Sequence, residues 1–365
     1  MRLAGSDGGD RLVADLEELS EACGVSGQEG AVRAIMARLL GPCGALTRDG
    51  LGNLSCTRRG GAERPRVMLA AHMDEIGFVV SDITDEGFLR FQTVGGWWEQ
   101  VMLAQRVTVH ARHGVLSGVV GSKPPHVLPA ADRGKPVDRK DMFIDVGAAD
   151  RAEAESFGVR PGDPVLPVCP FTRLRNPEYL MGKAIDDRAG CAVLAEVMRR
   201  LAAGAEHPNT VCGVATVQEE VGLRGADVAA RQVLPDIAIA LDVGVAGDTP
   251  GMTPQEARGK LGKGPLLLAY DASLLPHPRL RDLVADAAAA AGIPLQWEVM
   301  AGGGTDAGRM QFAGQGVPSI ALGFATRYIH SAAAVVHRQD LEAAVRLVLA
   351  VLRRLDAAAL EAILV

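Results

Sequence analysis

The chain has 365 residues, 48% of them hydrophobic and 22% charged, enough for one large domain with a smaller companion. A formal net charge of −6, with no long run of Lys and Arg, argues against a nucleic-acid surface. No apolar stretch approaches the roughly 20 residues that span a bilayer. Met1 to Asp10 is Gly- and Asp-rich with no secretory apolar region, so a cytoplasmic protein is expected.

The opening 40 residues hold two helical patterns, the second near Gln28 to Leu40 with Val32, Ile35, Met36 and Leu39 on one face. Val67 to Ala71 is a continuous apolar run that predicts a strand buried on both faces, ending at His72-Met73-Asp74. From Phe78 to Pro167 the texture changes. Short alternating segments such as Arg106 to Val109 are separated by turns at Asp85-Glu86-Gly87 and Arg112-His113-Gly114, and no helix pattern occurs before Lys140. This predicts a small all-β unit over residues 78–167, inserted into a larger domain made of residues 1–77 and 168–365. After Pro170, Asp186 to Leu201 reads as a helix, and Thr210 to Val217 and Ile237 to Leu241 read as buried strands. Pro278 to Ala291 is helical and stops at Gly292 and Pro294. Strands follow at Leu295 to Met300 and Ser319 to Leu322, and Asp340 is expected to cap a last helix that buries Leu341, Val345, Val348, Leu352 and Leu355. The class is α/β: a mixed, mainly parallel sheet sandwiched by helices. The six cysteines lack any C-x-x-C pair and read as reduced thiols.

In open α/β sheets, ligands bind beyond the carboxyl ends of the strands. His72, Glu219, Glu220 and Asp242 each lie at or just past such an end. On an extended chain Asp74 falls on the same side as His72 and can orient its imidazole, as a carboxylate does for a metal-bound histidine. Asp186 and Asp187 open a helix. They could be an N-cap and its dipole-favoured neighbour. Chemically, the two oxygens of Asp186 could each reach a different cation, with Asp187 or Arg188 fixing the geometry. The adjacent acids Glu219 and Glu220 would repel unless a cation or shared proton relieves them. One can then ligate a metal while the other acts as general base. Asp242 follows an apolar run, where an unpaired charge is costly. His330 lies in a loop after the strand at Ser319 to Leu322.

His72, Asp186, Glu220, Asp242 and His330 therefore read as one two-metal hydrolytic site, beside the further acids Asp74 and Glu219. Zn²⁺ or Co²⁺ suits such a mixed imidazole and carboxylate set. The remaining histidines, His110, His113, His126, His207, His277 and His337, read as structural or surface residues. Gly302-Gly303-Gly304-Thr305-Asp306 lacks the Gly-Lys-Ser/Thr ending of a phosphate loop and reads as a tight loop close to the site. No serine has a nucleophile-elbow context and no cysteine an evident histidine partner.

Five ordered segments carry a family likeness: Ala71-His72-Met73-Asp74-Glu75-Ile76-Gly77, Ala184-Ile185-Asp186-Asp187-Arg188, Gln218-Glu219-Glu220-Val221-Gly222, Asp242-Val243-Gly244 and Tyr328-Ile329-His330-Ser331. They resemble the signatures of the M42 metalloaminopeptidases, a family that includes tetrahedral TET peptidases and glutamyl aminopeptidases. Gly121 to His126 also resembles part of that family's inserted β-domain. The resemblance implies a zinc-exopeptidase type of fold with a small β-barrel insert that mediates dimerisation, and dimers that assemble into a hollow tetrahedral dodecamer. It implies one metal on His72, Asp186 and Asp242 and a second on Asp186, Glu220 and His330. Glu219 would be the general acid/base and Asp74 the support of His72. The implied activity is removal of N-terminal residues from peptides. A metal-dependent deacylase or amidase acting on small N-acyl compounds is the alternative for the same site. Two segments depart from the family pattern: Ala332 to Ala334 follow His330-Ser331 where Pro and an acid are common, and Gly244 stands where Thr is common. Both bear on pocket shape and substrate preference.

Overall fold

The apolar run at Val67 to Ala71 becomes the centre of the molecule because it has no polar side to show to water. In the computed structural model, which describes residues 6–365, Val67, Leu69 and Ala71 pack into one helical layer and Met68 and Ala70 into the opposite one. Met1 to Gly5, half of the Gly- and Asp-rich start, lie outside the described residues.

In chain order, helices α1 (Ser6–Glu21) and α2 (Gly30–Leu40) precede strands β1 (Ala45–Arg48), β2 (Leu54–Arg59) and β3 (Arg66–His72). Six strands then follow: β4 (Gly77–Ile83), β5 (Leu89–Val94), β6 (Arg106–Ala111), β7 (Gly114–Ser122), β8 (Met142–Asp145) and, after the short helix α3 (Arg151–Ser156), β9 (Pro164–Pro167). The main domain resumes with β10 (Thr172–Arg173), β11 (Tyr179–Gly182), α4 (Ile185–Ala202), β12 (Thr210–Thr216), α5 (Arg224–Val233), β13 (Ile237–Val245) and β14 (Leu266–Tyr270). It closes with α6 (Pro278–Ala290), β15 (Gln296–Val299), α7 (Ala307–Met310), β16 (Ser319–Arg327), β17 (Ala334–His337), α8 (Arg338–Arg354) and α9 (Ala357–Leu364).

The main sheet runs β1-β2-β12-β3-β13-β16-β17-β11-β10, with β14 and β15 joined to it through β16. Its four central strands, β12, β3, β13 and β16, are parallel, and antiparallel strands flank them. Helices α1, α2, α4, α6 and α8 cover one face, and α5 with α7 cover the other. Strands β4 to β9 close into a separate antiparallel barrel in the order β4-β5-β8-β7-β6-β9. Its apolar interior includes Phe78, Phe91, Val109, Val120 and Ile144. The mixed sheet with an all-β insert is the architecture the alternation predicts, and the closed barrel is the form the family resemblance implies.

Several expectations need correction at the ends of elements. Strand β13 runs on to Val245, so Asp242 lies inside the strand rather than past its end. Strand β16 reaches Arg327, five residues beyond the predicted stop at Leu322, because Gly323 to Thr326 pair with Asp242 to Val245. Asp340 is not the cap of α8. His337 is the capping residue, its Nδ1 accepting from the Gln339 N–H at 3.3 Å. Asp340 sits in the first turn and instead accepts from the Gly262 and Gly264 N–H groups, each at 2.7 Å. The sequence pattern also leaves β1, β2, β10, β11, β14 and β17 unmarked. The edge strands β1 and β10 are exposed throughout, so no burial alternation marks them.

Among the described residues no helix is long and apolar enough to cross a membrane. All six cysteines are free; Cys43, Cys56, Cys191 and Cys212 are buried.

Candidate metal centre and active site

Strand register brings the distant acids together. Ala240 pairs with Ala70 in the parallel β13–β3 ladder, which puts Asp242 level with His72, and Thr216 pairs directly with His72. The chain leaving β12 then delivers Glu219 and Glu220 to the same rim. All five sequence-predicted ligands and both neighbouring acids meet there.

Asp186 lies at the centre. Its Oδ1 is 3.1 Å from His72 Nε2 and its Oδ2 is 3.4 Å from His330 Nε2. His72 Nε2 is also 3.9 Å from Glu219 Oε2 and 3.9 Å from Asp242 Oδ1, while His330 Nε2 is 3.5 Å from Glu220 Oε2. Asp186 and Asp187, joined by a cis peptide bond, carry non-helical backbone at the entry to α4. The Asp187 carboxylate faces inward instead, accepting from the His72 N–H at 3.2 Å and the Gly190 N–H at 2.9 Å.

Asp74 reaches His72 and has a second task besides. Strand β3 ends at His72, and Asp74 lies two residues beyond it with its carboxylate beside the imidazole. The nearest partner of His72 Nδ1 is the Asp74 carbonyl oxygen at 3.1 Å; the carboxylate stands off at 3.6 Å. That carboxylate grips the other acids' backbone. It accepts from the Glu219 N–H at 2.9 Å, the Glu220 N–H at 3.1 Å and the Ser26 hydroxyl at 2.6 Å.

Electrostatics follow from crowding. Burial pushes the Glu219 and Asp242 carboxyls well above the usual range despite the pull of His72. Burial, then the charge of Asp186, lifts Glu220 to about 8. Burial also works against a charged His72, but Glu219, Asp186 and Asp74 outweigh it and raise its pKa. For His330 burial is likewise outweighed, chiefly by Asp186, and the imidazole moves to about 9. Asp186 itself is held low: its hydrogen bonds to His330 and His72 overcome the effect of burial.

Three further features complete the surroundings of the site. Asp306, directly after the glycine loop, is buried beside this cluster, takes a hydrogen bond from Thr216 Oγ1 at 2.5 Å and is raised by burial to about 6. Its position just before α7 was the available signal. Arg188 is fully buried and donates to the carbonyls of Met73, Ala22 and Gly24 and to Glu75, so it ties the chain after His72 to the end of α1. Ala184, Gln218, Tyr328 and His330 adopt left-handed backbone, a strain of about 1–3 kcal/mol each that tends to collect at functional sites.

The donor set fits divalent cations. Buried acids crowd around two imidazoles, and Glu220 Oε1 is buried with no hydrogen-bond partner. His72, Asp186 and Glu220 offer ligand atoms within 4.8 Å of one another, as do His72, Asp187 and Asp242. In the second group Asp187 is already engaged by two backbone N–H groups, which leaves Asp186 as the freer carboxylate.

The description of M42 glutamyl aminopeptidases matches residues 52–347. The glutamyl aminopeptidase of Lactococcus lactis subsp. cremoris (strain MG1363) is 37% identical over 333 residues, covering 89% of this chain and 91% of that protein. The crystal structure of the TET aminopeptidase from the marine sediment archaeon Thaumarchaeota archaeon SCGC AB-539-E09 superposes with a TM-score of 0.95 at 47% identity, covering 97% of this chain and 99% of that one. The Pyrococcus horikoshii TET1 peptidase, which can assemble into a tetrahedron or a large octahedral shell, gives a TM-score of 0.84 at 34% identity, with 93% and 99% covered. The chain belongs to the M42 family of aminopeptidases, hydrolases of peptide bonds.

Proposed function

We propose that this protein is a dinuclear metal-dependent aminopeptidase that removes N-terminal residues from peptides in the cytosol. His72, Asp186 and Asp242 would hold one ion, and Asp186, Glu220 and His330 the other. The observation that carries this reading is the Asp186 carboxylate, whose two oxygens face two different imidazoles at 3.1 and 3.4 Å. Two divalent ions bound there would polarise the scissile carbonyl and acidify a water.

The chain's own residues supply the rest. Glu219 is buried at the cluster with its pKa raised, so its carboxylate suits taking a proton from the attacking water and returning it to the leaving amine. Asp74 positions that base by holding the Glu219 and Glu220 N–H groups. The surrounding acids favour a substrate with a free, positively charged α-amino group. Residues 78–167 serve dimerisation in this reading. Exposed Trp98, Val115 and Val127 supply apolar surface there, and the TET likeness supports a tetrahedral dodecamer.

Glu219→Gln tests the assignment. It should keep bound metal, by elemental analysis, and lower kcat by about 10²–10⁴-fold; unchanged turnover would remove Glu219 from the mechanism. Aminoacyl p-nitroanilides should be cleaved and their N-acetylated forms resist. The reverse order would revive the deacylase alternative.

A further inference from the structure

Beyond the acids, the cavity changes character. It has a volume of about 560 Å³, and its outer walls include Leu223, Val243, Val245, Met300 and Ile329. Its floor is partly bare backbone at Gly302 to Gly304. Among the described residues no Lys or Arg lines it. Apart from the proposed metal centre, its single charged residue among the described residues is Glu256, whose carboxylate is turned back on its own loop, accepting from the Thr253 N–H at 2.7 Å and the Thr253 hydroxyl at 2.8 Å. Thr305 offers little to a ligand, since its hydroxyl is directed at Asp271 Oδ2, 3.4 Å away. At Gly244 a Cβ would stand 2.4 Å from Leu266 Cδ1, so a larger polar side chain there requires the core to shift.

We propose that this pocket selects apolar N-terminal residues of leucine or methionine size and refuses acidic ones, with Met300, Ile329 and Leu223 as specificity-determining contacts. The proposal rests on the aminopeptidase reading and deepens it. An N-terminal glutamate would leave its hydration shell for a wall that offers no cationic side chain and a single carboxylate, Glu256. An uncompensated buried charge is what such a site rejects most strongly. A lysine ammonium would find only Glu256, already satisfied by its loop. An aliphatic side chain loses nothing polar and gains contact with the apolar wall. This sets the chain apart from a glutamyl preference, although it shares its family with glutamyl enzymes.

The test is a panel of Leu, Met, Lys and Glu p-nitroanilides assayed on the metal-loaded full chain. kcat/KM for Leu and Met should exceed Glu by about 100-fold and Lys by about 10-fold, within the range one pocket achieves. Glu or Lys turned over as well as Leu overturns the proposal and leaves the aminopeptidase reading standing. If N-acetyl-leucine p-nitroanilide is cleaved and no free aminoacyl substrate is, both fall. Met300→Arg, at a half-buried position, should narrow the Leu to Glu ratio by at least about 10-fold. Leu223→Arg is the second variant should Met300→Arg fail to fold by circular dichroism. An unchanged ratio in a folded variant removes those contacts from specificity.

Discussion

In the inserted barrel, burial and hydrophobicity coincide: Phe78 stacks on Trp97 with centroids 4.6 Å apart, and Ile144, Val109 and Leu89 are fully buried beside it. At the rim of the main sheet they part company. His72, Asp74 and Asp187 are as inaccessible as those aliphatic side chains, at 2%, 0% and 0% exposure. The barrel interior contributes stability by removing apolar area from water. The rim costs stability through desolvated carboxylates and left-handed backbone, and the large core around β3 and α4 offsets that cost. A region that buries charge without cancelling it is a region kept for chemistry.

This contrast can be broken at either side. Asp186→Ala has the largest expected effect: metal content should drop, and kcat/KM should fall by more than the roughly 10³-fold typical of losing one stabilising group. Full metal occupancy in that variant would show that Asp186 is not shared between ions. In the barrel, Ile144→Ala should cost about 2–5 kcal/mol by denaturant titration, with turnover per folded molecule unchanged. A catalytic loss without a stability loss would contradict the division of labour.

The smallest effect is on pH dependence. In chelator-treated protein Glu220 and His330 both hold protons to higher pH than they do in the unfolded chain, with values of about 8 and about 9. Where the native state binds more protons, stability falls as pH rises. The Glu220 contribution falls from the normal glutamate range up to about 8, and that of His330 from the normal histidine range up to about 9. The melting temperature of the chelated protein should therefore drop between pH 6.5 and 9. Saturating Zn²⁺ or Co²⁺ should flatten or reverse the slope, because ligands bind metal only when deprotonated. Identical slopes with and without metal would uncouple these groups from the ion.

Much of this was legible in the chain. The apolar runs ending in His72 and leading into Asp242 mark buried parallel strands, and a charge at the end of such a run has few places to go. His330 carried no local signal; it became meaningful through the motif order and then through its approach to Asp186. The roles of Asp306 and Ser26 depend on partners 90 and 48 positions away, and Arg188, expected to fix Asp186, instead serves Met73 at 115 positions away, which no periodicity encodes. Asp74 stands beside His72 as the spacing suggested, but its hold on the Glu219 and Glu220 N–H groups depends on partners 145 and 146 positions away.

The loop leaving β5 adds a mechanical consequence. At Gly95, whose φ is +79°, an added Cβ would approach Glu220 Oε2 to 3.3 Å, and at Gly96 it would approach His330 Nδ1 to 3.0 Å. The barrel thus props up the half-exposed imidazole from outside the sheet. Tilting the insert by even an ångström would be registered there first, so the two folding units are geared together at a pair of residues chosen for having no side chain at all.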